Sequence, residues 1–139
     1  MRAVIGHDKA IAEWAAEQMG LPNGFLPPVT AIGFVNAEGV LSGAIVFNAF
    51  TGIDVEMGVA GRGAVSREAF RLAAEYALAL GCVRVTASAR ADNERSIRII
   101  EWGGFKREGV ARKRYGDCDG IMFGITAEEI RDRWLNDGK

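Results

Sequence analysis

Hydrophobic and polar residues alternate along the middle of the chain in a pattern that predicts a strand, a helix and a second strand. From 53 to 59 nearly every second residue is apolar, which is the period of a half-buried strand. From 69 to 80 apolar residues recur every three or four positions, as on the buried face of a helix, and 82–87 reads as a strand again. Two strands joined by one helix predict a right-handed parallel crossover, and the rest of the chain is arranged around it.

The turn between the first of these strands and the helix is rich in small residues. Small residues let the backbone approach a ligand closely, and the first N–H groups of a helix have no partner within it. Because the positive end of the helix dipole lies behind those groups, the turn is a predicted place for phosphate, with arginine adding charge. The predicted phosphate-binding residues are Gly61, Arg62, Gly63, Ala64, Val65, Ser66 and Arg67.

Shorter patterns on either side complete an α/β (α+β) fold class, a mixed central β-sheet with helices on both faces, in one domain over 1–139. The hairpin turn 36–39 makes three antiparallel strands lead into the crossover, and a capping box of Thr126 and Glu129 predicts the last helix. The further predicted elements are a strand over 2–5, a helix over 9–19 with Asp8 as its N-cap, strands over 29–35 and 40–50, a helix that begins at Asp92 and Asn93, and strands over 105–113 and 121–125.

Composition narrows the function classes only slightly. The 139 residues carry a formal net charge of −1 and the most apolar window, 40–50, is too short to span a bilayer, so we expect no membrane partner and no general attraction to nucleic acid. No signal-peptide pattern follows Met1, and the two cysteines lack metal-ligand spacing, which favours a reduced, cytoplasmic protein that needs no metal. The tract 90–114 holds eight basic and four acidic residues, which fits either a solvated face or the rim of a pocket for a polyanion.

The order of elements and one long motif resemble the GNAT superfamily of N-acetyltransferases. In the motif, which runs from Asn93 to Gly109, an asparagine starts a helix, Ser96 follows three residues later, and the helix leads into Gly-Phe and then Glu-Gly. This form is similar to the branch that acetylates ribosomal-protein and other N-termini and small amines, and the ending 119–125 is similar to small phage and prophage members. The resemblance implies direct transfer of an acetyl group from acetyl-CoA to the amine of a small molecule, a protein N-terminus or a lysine.

The resemblance also implies where acetyl-CoA lies. Its pantetheine arm would run beside the strand that contains Gly58, where the family has a bulge that frees backbone groups; glycine within a strand independently indicates a bulge or a close approach. The oxyanion of the reaction would then meet a backbone N–H near Gly58 or Val59. Asn93 would both cap its helix and reach the CoA arm. The expected cofactor-binding residues outside the turn are Met57, Gly58, Val59, Asn93 and Ser96.

Glu56 is the first candidate for the general base that takes a proton from the amine, because alternation places it opposite Val55. A surface carboxylate is its other interpretation, and Asp54 on the same face is the second candidate. Tyr115 is the candidate for the acid that protonates the leaving thiolate, with packing against the sheet as the alternative. Many family members carry a tyrosine for that purpose where this chain has Ile100.

Two other functions stay open at this point. The turn 61–66 keeps only the small-residue character of the family's phosphate loop, which together with Ile100 favours a CoA-binding or phage accessory module without catalysis as the alternative. The basic tract favours a protein that contacts nucleic acid, which would bind in a salt-sensitive way. A homodimer is a further expectation, through an exposed late strand or the helix that contains Trp134.

Overall fold

The structure, a computed structural model, describes residues 1–136, which form a seven-stranded mixed sheet with helices on both faces. The elements are β1 (Arg2–Val4), α1 (Asp8–Met19), β2 (Val29–Val35), β3 (Leu41–Asn48), β4 (Asp54–Ala60), a single 3₁₀ turn (Arg62–Ala64), α2 (Arg67–Ala79), β5 (Arg84–Arg90), α3 (Glu94–Trp102), β6 (Lys106–Ala111), β7 (Gly120–Thr126) and α4 (Ala127–Ile130), which continues as a π-helical turn (Arg131–Leu135). The strands lie in the order β1-β2-β3-β4-β5-β7-β6, and β4–β5 is the parallel pair among antiparallel ones. The predicted fold class, element order and parallel crossover are confirmed.

Different helices cover the two faces of the sheet. On one face α1 packs Ile11 and Ala15 onto β2, β3 and β4, where Ala44 lets the helix come close. On the other face α2, α3 and the C-terminal segment bury a larger core around Phe47 and Phe123. β5 contributes Val85, Ala87 and Ala89 to that larger core and directs Arg84, Thr86, Ser88 and Arg90 to the face of α1.

Asp8 does not cap α1 as predicted. The N-cap position belongs to His7, whose side chain makes no capping hydrogen bond, and Asp8 is the first helical residue. Its Oδ1 accepts a hydrogen bond from the N–H of Ala31 on β2 at 2.9 Å. The carboxylate therefore joins the helix to the sheet instead of satisfying the helix's own N–H groups.

Two strands are shorter than predicted because the backbone turns earlier. The strand predicted over 40–50 ends at Asn48, where Ala49 takes a left-handed φ of 53°. The strand predicted over 105–113 ends at Ala111, and the turn that follows contains Lys113 at a φ of 60°. The remaining residues of both stretches become turns, which lie at opposite ends of the sheet because β3 ends beside the start of β4 and β6 ends beside Gly120, which pairs with the end of β5.

The last helix packs into the core through aromatic residues. Thr126 and Glu129 form the predicted capping box, with N–H to oxygen distances of 2.9 and 3.3 Å. Trp134 is buried, donates from Nε1 to the Gly103 carbonyl at 2.8 Å, and lies 5.4 Å from Phe70 between ring centroids. Trp134 thus belongs to the core of its own chain, and pairing of two copies through the rest of this helix or through β6, an exposed edge strand, stays a prediction. Within the described residues no helix is long and apolar enough to cross a bilayer.

The turn after β4 lies against β3 by direct backbone contact. A Cβ on Gly43 of β3 would collide with the Ala64 nitrogen and lie 2.6 Å from the Gly63 carbonyl carbon. Gly61, which starts the turn, has a φ of +77°. These glycines fix the position of the turn relative to the sheet, because no side chain fits between the two backbones.

Candidate functional site

The parallel strands β4 and β5 pair at one end and separate at the other. Their backbone pairing stops at Glu56 and Thr86, although β4 continues to Ala60 and β5 to Arg90. Over the same stretch β4 stays paired with β3. Because alternate backbone groups of a strand point to opposite neighbours, β4 beyond Glu56 presents N–H and C=O groups to a gap where a strand would otherwise lie.

A cavity of about 960 Å³ lies at this gap. One wall is β4 from Glu56 to Ala60 and the other is β5 from Thr86 to Arg90. The cavity is also lined by α1 on one face of the sheet and by the start of α3 on the other, so it passes between the strands. A narrow, extended molecule therefore has a path through the sheet along exposed backbone.

Of the twelve residues predicted to bind the cofactor, eight line this cavity: Met57, Gly58, Val59, Gly61, Arg62, Val65, Asn93 and Ser96. Gly63, Ala64, Ser66 and Arg67 do not line it. Ala64 is fully buried, and Gly63 packs against Ser42. The Ser66 hydroxyl caps α2 by accepting the Ala69 N–H at 3.0 Å, and the Arg67 guanidinium lies 6.0 Å from the Trp134 ring centroid. The binding roles of all twelve stay predictions.

The turn uses two of its N–H groups for hydrogen bonds within itself. Ala64 N–H donates to the Gly61 carbonyl at 3.3 Å and Val65 N–H to the Arg62 carbonyl at 3.0 Å. The amides of Ala64 and Val65 are therefore engaged within the turn. Binding of an anion by the turn stays a prediction.

β4 contains no bulge at Gly58, so that prediction is wrong. Gly58 pairs with Val46, and the β3–β4 register is regular from Glu56 to Ala60. A Cβ on Gly58 would lie 3.2 Å from the Met19 Cε and 3.5 Å from the Phe25 Cε1. The glycine makes room for α1 and the loop after it, and the strands separate by divergence alone.

The start of α3 forms the cavity's edge on the face of the larger core. The Asn93 side chain accepts the Ser96 N–H at 3.1 Å, so its predicted capping role is confirmed. Arg95, one of the eight basic residues of the tract 90–114, lines the cavity beside these residues, as does Arg62 of the turn after β4. Two cations thus flank the end of the gap at which phosphate is predicted.

Glu56 lines the cavity on the face of α1, while its neighbour Val55 is buried on the other face. Its Oε1 lies 3.5 Å from Nη2 of Arg114, and its side chain is 32% exposed. Arg114 belongs to the turn between β6 and β7, which folds back over the sheet. The carboxylate is therefore accessible from the cavity, and its role as the base stays a prediction.

Tyr115 follows Arg114 in the same turn and also lines the cavity. Its hydroxyl lies 3.0 Å from the Ser88 Oγ on β5, and the Arg90 guanidinium lies 5.8 Å from its ring centroid. The residue packs on the sheet, as one interpretation predicted. Its hydroxyl lies beside the gap, as the proton-donor interpretation requires.

Arg90 holds this turn against β5 by ion pairs. Its guanidinium donates to Asp117 at 3.1 Å and to Asp92 at 3.1 and 3.3 Å. Hydrogen bonds from Arg90 lower the pKa of both carboxyls, and the pKa of Arg90 is raised, mainly by Asp117. Arg90 thus joins β5 both to the turn, through Asp117, and to the segment just before α3, through Asp92.

Asp54, the second candidate base, does not line the cavity. The Thr86 hydroxyl donates to its carboxylate at 2.9 Å, and the Arg84 Nε lies 3.7 Å away. Arg84 also bonds Glu108 on β6 at 2.8 Å, and this bond is the main cause of the raised pKa of Arg84. Asp54 belongs to a network that links β4, β5 and β6 at the paired end.

An apolar end of the cavity was missed by sequence reasoning. Met19 of α1 lines it together with Phe25 and Leu26 of the following loop, whereas Trp14 lies against Gly61 at the turn after β4. Leu26 is 68% exposed, as several other large apolar side chains of this protein also are. The available signal was two large apolar residues in a loop that has no helical or strand period.

The basic tract is partly neutralised. In 90–114, which the structure describes completely, Arg90, Lys106, Arg107 and Arg114 all form ion pairs with carboxylates. A solvated face with local ion pairs accounts for these four of the eight basic side chains.

Among residues 1–136 no group of three or more His, Cys, Asp or Glu is placed to hold a metal ion.

The fold was compared with known proteins. The sequence matches no protein-family profile and no curated protein. A GNAT-family acetyltransferase from Bacillus anthracis is 21% identical with a TM-score of 0.66, and the match covers 92% of this chain and 96% of that one. A protein described as a putative acetyltransferase is 25% identical with a TM-score of 0.68, over 81% and 68%. The spermidine N-acetyltransferase of Vibrio cholerae is 16% identical with a TM-score of 0.65, over 89% and 75%. The chain therefore has the GNAT acetyltransferase fold.

Proposed function

We propose that the protein is an N-acetyltransferase that moves the acetyl group of acetyl-CoA to a primary amine by direct attack. The observation that carries the proposal is the divergence of β4 and β5 into a cavity that holds a carboxylate and a phenol on its face opposite α3. Acetyl-CoA supplies the acetyl thioester. The GNAT fold of the neighbours named above supports this assignment.

The gap suits an extended thioester carrier. Backbone groups of Met57, Gly58 and Val59 that lack a partner on β5 would bond the amides of the arm, and one N–H would stabilise the charge that develops on the thioester oxygen. Arg62 and Arg95 flank the phosphate end. The opposite end is lined by apolar side chains and by Glu56, so the acceptor amine would enter there.

The side chains of the site account for every proton in the transfer. Glu56 takes one proton from the acceptor ammonium, directly or through water, and passes it to solvent. The free amine then forms its N–C bond, the C–S bond breaks and the Tyr115 hydroxyl gives its proton to the thiolate. The nitrogen loses its second proton, which restores the Tyr115 hydroxyl. The products are the amide, free CoA thiol and one proton.

The proposal is tested by calorimetric titration with acetyl-CoA of the wild type, Ser96→Trp and Arg98→Trp. Ser96 lines the cavity on α3, whereas Arg98 on the same helix is exposed outside it, so the two variants place the same indole side chain inside and outside the cavity. We expect Ser96→Trp to weaken binding by about tenfold or more, since it fills the gap, and Arg98→Trp to leave it unchanged.

Three results decide among the alternatives. No binding of acetyl-CoA or CoA to the wild type contradicts the proposal. Equal loss in both variants contradicts the assigned path through the sheet. Binding that follows the prediction, without thiol release in the presence of any amine, indicates a CoA-binding module without catalysis. The similarity to phage-encoded members stays a prediction.

A further inference from the structure

Charged side chains are distributed unequally over the cavity. Among the described residues that line it, four are arginines, Arg62, Arg90, Arg95 and Arg114, and one, Glu56, is a carboxylate. Arg62 and Arg95 lie at the end assigned to phosphate, on the turn after β4 and on α3. Arg90 is held by Asp92 and Asp117. The acceptor end therefore presents one cation, Arg114, beside one anion, Glu56.

Arg114 is held much more loosely than Arg90. Its guanidinium contacts Glu56 at 3.5 Å, the limit of a hydrogen bond, and its side chain is 37% exposed. Arg90 makes four bonds of 3.1 to 3.3 Å. Because a guanidinium carries five N–H donors in a planar fork, Arg114 keeps donors that point to no described residue and suits a carboxylate.

Apolar side chains complete the acceptor end. Phe25 and Met19 approach the backbone of Gly58, two residues from Glu56 along β4. Leu26 lies at the edge, largely exposed. An acceptor whose amine meets Glu56 would therefore have its body against apolar surface and any neighbouring anion within reach of Arg114.

We propose that the acceptor is a zwitterionic amine, a small molecule that carries a carboxylate next to its amine on an apolar body, as an apolar α-amino acid does. Its ammonium replaces the guanidinium at Glu56 and its carboxylate replaces Glu56 at Arg114, so the substrate inserts into the 3.5 Å contact between them. This inference rests on the proposed acetyl transfer. A polyamine would face the opposite balance, with one carboxylate among four arginines.

The test compares four acceptors in a thiol-release assay with acetyl-CoA: leucine, leucinamide, 3-methylbutylamine and spermidine. Leucinamide and 3-methylbutylamine keep the apolar body but lack the carboxylate, and spermidine is a polycation. We expect kcat/KM for leucine to exceed that for each of the others by about tenfold or more, since a site built to bond a polar group rejects analogues without it.

Variants identify the residue responsible. Arg114→Gln should reduce the leucine-to-leucinamide ratio to within about threefold of unity, and Arg114→Lys should keep part of the preference through its charge. Arg112→Gln, two residues away and exposed outside the cavity, should keep the full ratio. The ratio separates recognition of the carboxylate from any general effect of Arg114 on Glu56.

The outcomes distinguish this inference from the proposed function. Faster reaction of leucinamide, 3-methylbutylamine or spermidine than of leucine overturns the zwitterion inference and leaves acetyl transfer intact. A leucine preference that survives Arg114→Gln overturns it as well. No thiol release with any of the four, while acetyl-CoA binds, overturns the inference. The transferase assignment is contradicted only if other amines, peptide N-termini and lysine included, also give no thiol release.

Discussion

The two ends of the β4–β5 pair use similar residues in different ways. At the paired end, Asp54 accepts from the Thr86 hydroxyl, and Arg84 reaches across β7 to Glu108. At the open end, the carboxylate of Glu56 has one guanidinium at 3.5 Å from a turn that lies 58 residues away in sequence. Asp54 and Glu56 stand two positions apart on one face of one strand, so the strand itself does not distinguish them.

This difference indicates which of the two carboxylates can act as a proton acceptor. Partners that come from neighbouring strands hold Asp54 in place and strengthen the sheet. Glu56 lies where pairing stops, beside a cavity, and its partner belongs to a turn. A proton acceptor must exchange partners during a reaction, so the loosely held group at the open end fits that role and the network at the paired end does not.

The largest expected effect tests this contrast directly. Glu56→Gln removes the proton acceptor, so kcat/KM with a reactive amine should fall by about 10³-fold, which corresponds to about 4 kcal/mol in the barrier. Asp54→Asn is the matched control on the same face and should change the rate by less than about threefold, because it touches neither cavity nor substrate. Thermal unfolding of both variants excludes misfolding as a cause. Equal losses in the two variants would contradict the distinction between the ends.

Local signals explain why so much of the fold was predicted. The helix periods of α2 and α3, the cap at Asn93 and the capping box at Thr126 each lie within a few residues of the element they start. The crossover then follows from chain handedness. Where a local rule failed, a distant partner intervened: Asp8 bonds Ala31, 23 residues away, in place of capping its own helix.

The predicted residues that line the cavity lie on β4, on the turn after it and at the start of α3, with Tyr115 as the one from the β6–β7 turn. Arg114 meets Glu56, and Ser88 meets Tyr115, through folding of the β6–β7 turn over the sheet, which no periodicity reports. Gly58 was ambiguous, because a glycine within a strand fits either a bulge or a close neighbour, and here the neighbours are Met19 and Phe25. The apolar end of the cavity comes from a loop without a pattern.

Gly43→Ala tests the backbone contact that holds the turn after β4 against β3. A Cβ at this position meets backbone atoms of Gly63 and Ala64, which cannot swing aside as a side chain can. We expect a loss of about 3 kcal/mol in the free energy of unfolding, measured by urea denaturation, together with weaker acetyl-CoA binding because the turn after β4 moves. Gly109→Ala on β6 is the control, since no described atom lies within 4 Å of its Cβ position, and it should stay within about 0.5 kcal/mol of the wild type. A similar small change in Gly43→Ala would show that the turn is not held by this backbone contact.

The smallest expected effect concerns the paired end. Arg84 and Glu108 meet above Gly124 of β7, where a Cβ would overlap the Arg84 guanidinium. Gly124→Ala should therefore displace the same ion pair that Glu108→Gln removes. Because both side chains are about a third or more exposed, each variant should cost about 0.5 kcal/mol of unfolding free energy and leave kcat unchanged.

A double variant tests whether Gly124→Ala and Glu108→Gln act on the same ion pair. If one ion pair accounts for both effects, Gly124→Ala combined with Glu108→Gln costs no more than either change alone, which a double-mutant cycle of urea denaturation measures. Additive losses would mean that Gly124 is required for some other contact of β7. A fall in kcat in either single variant would mean that the paired end does more than anchor the strands, and the functional separation of the two ends would then be wrong.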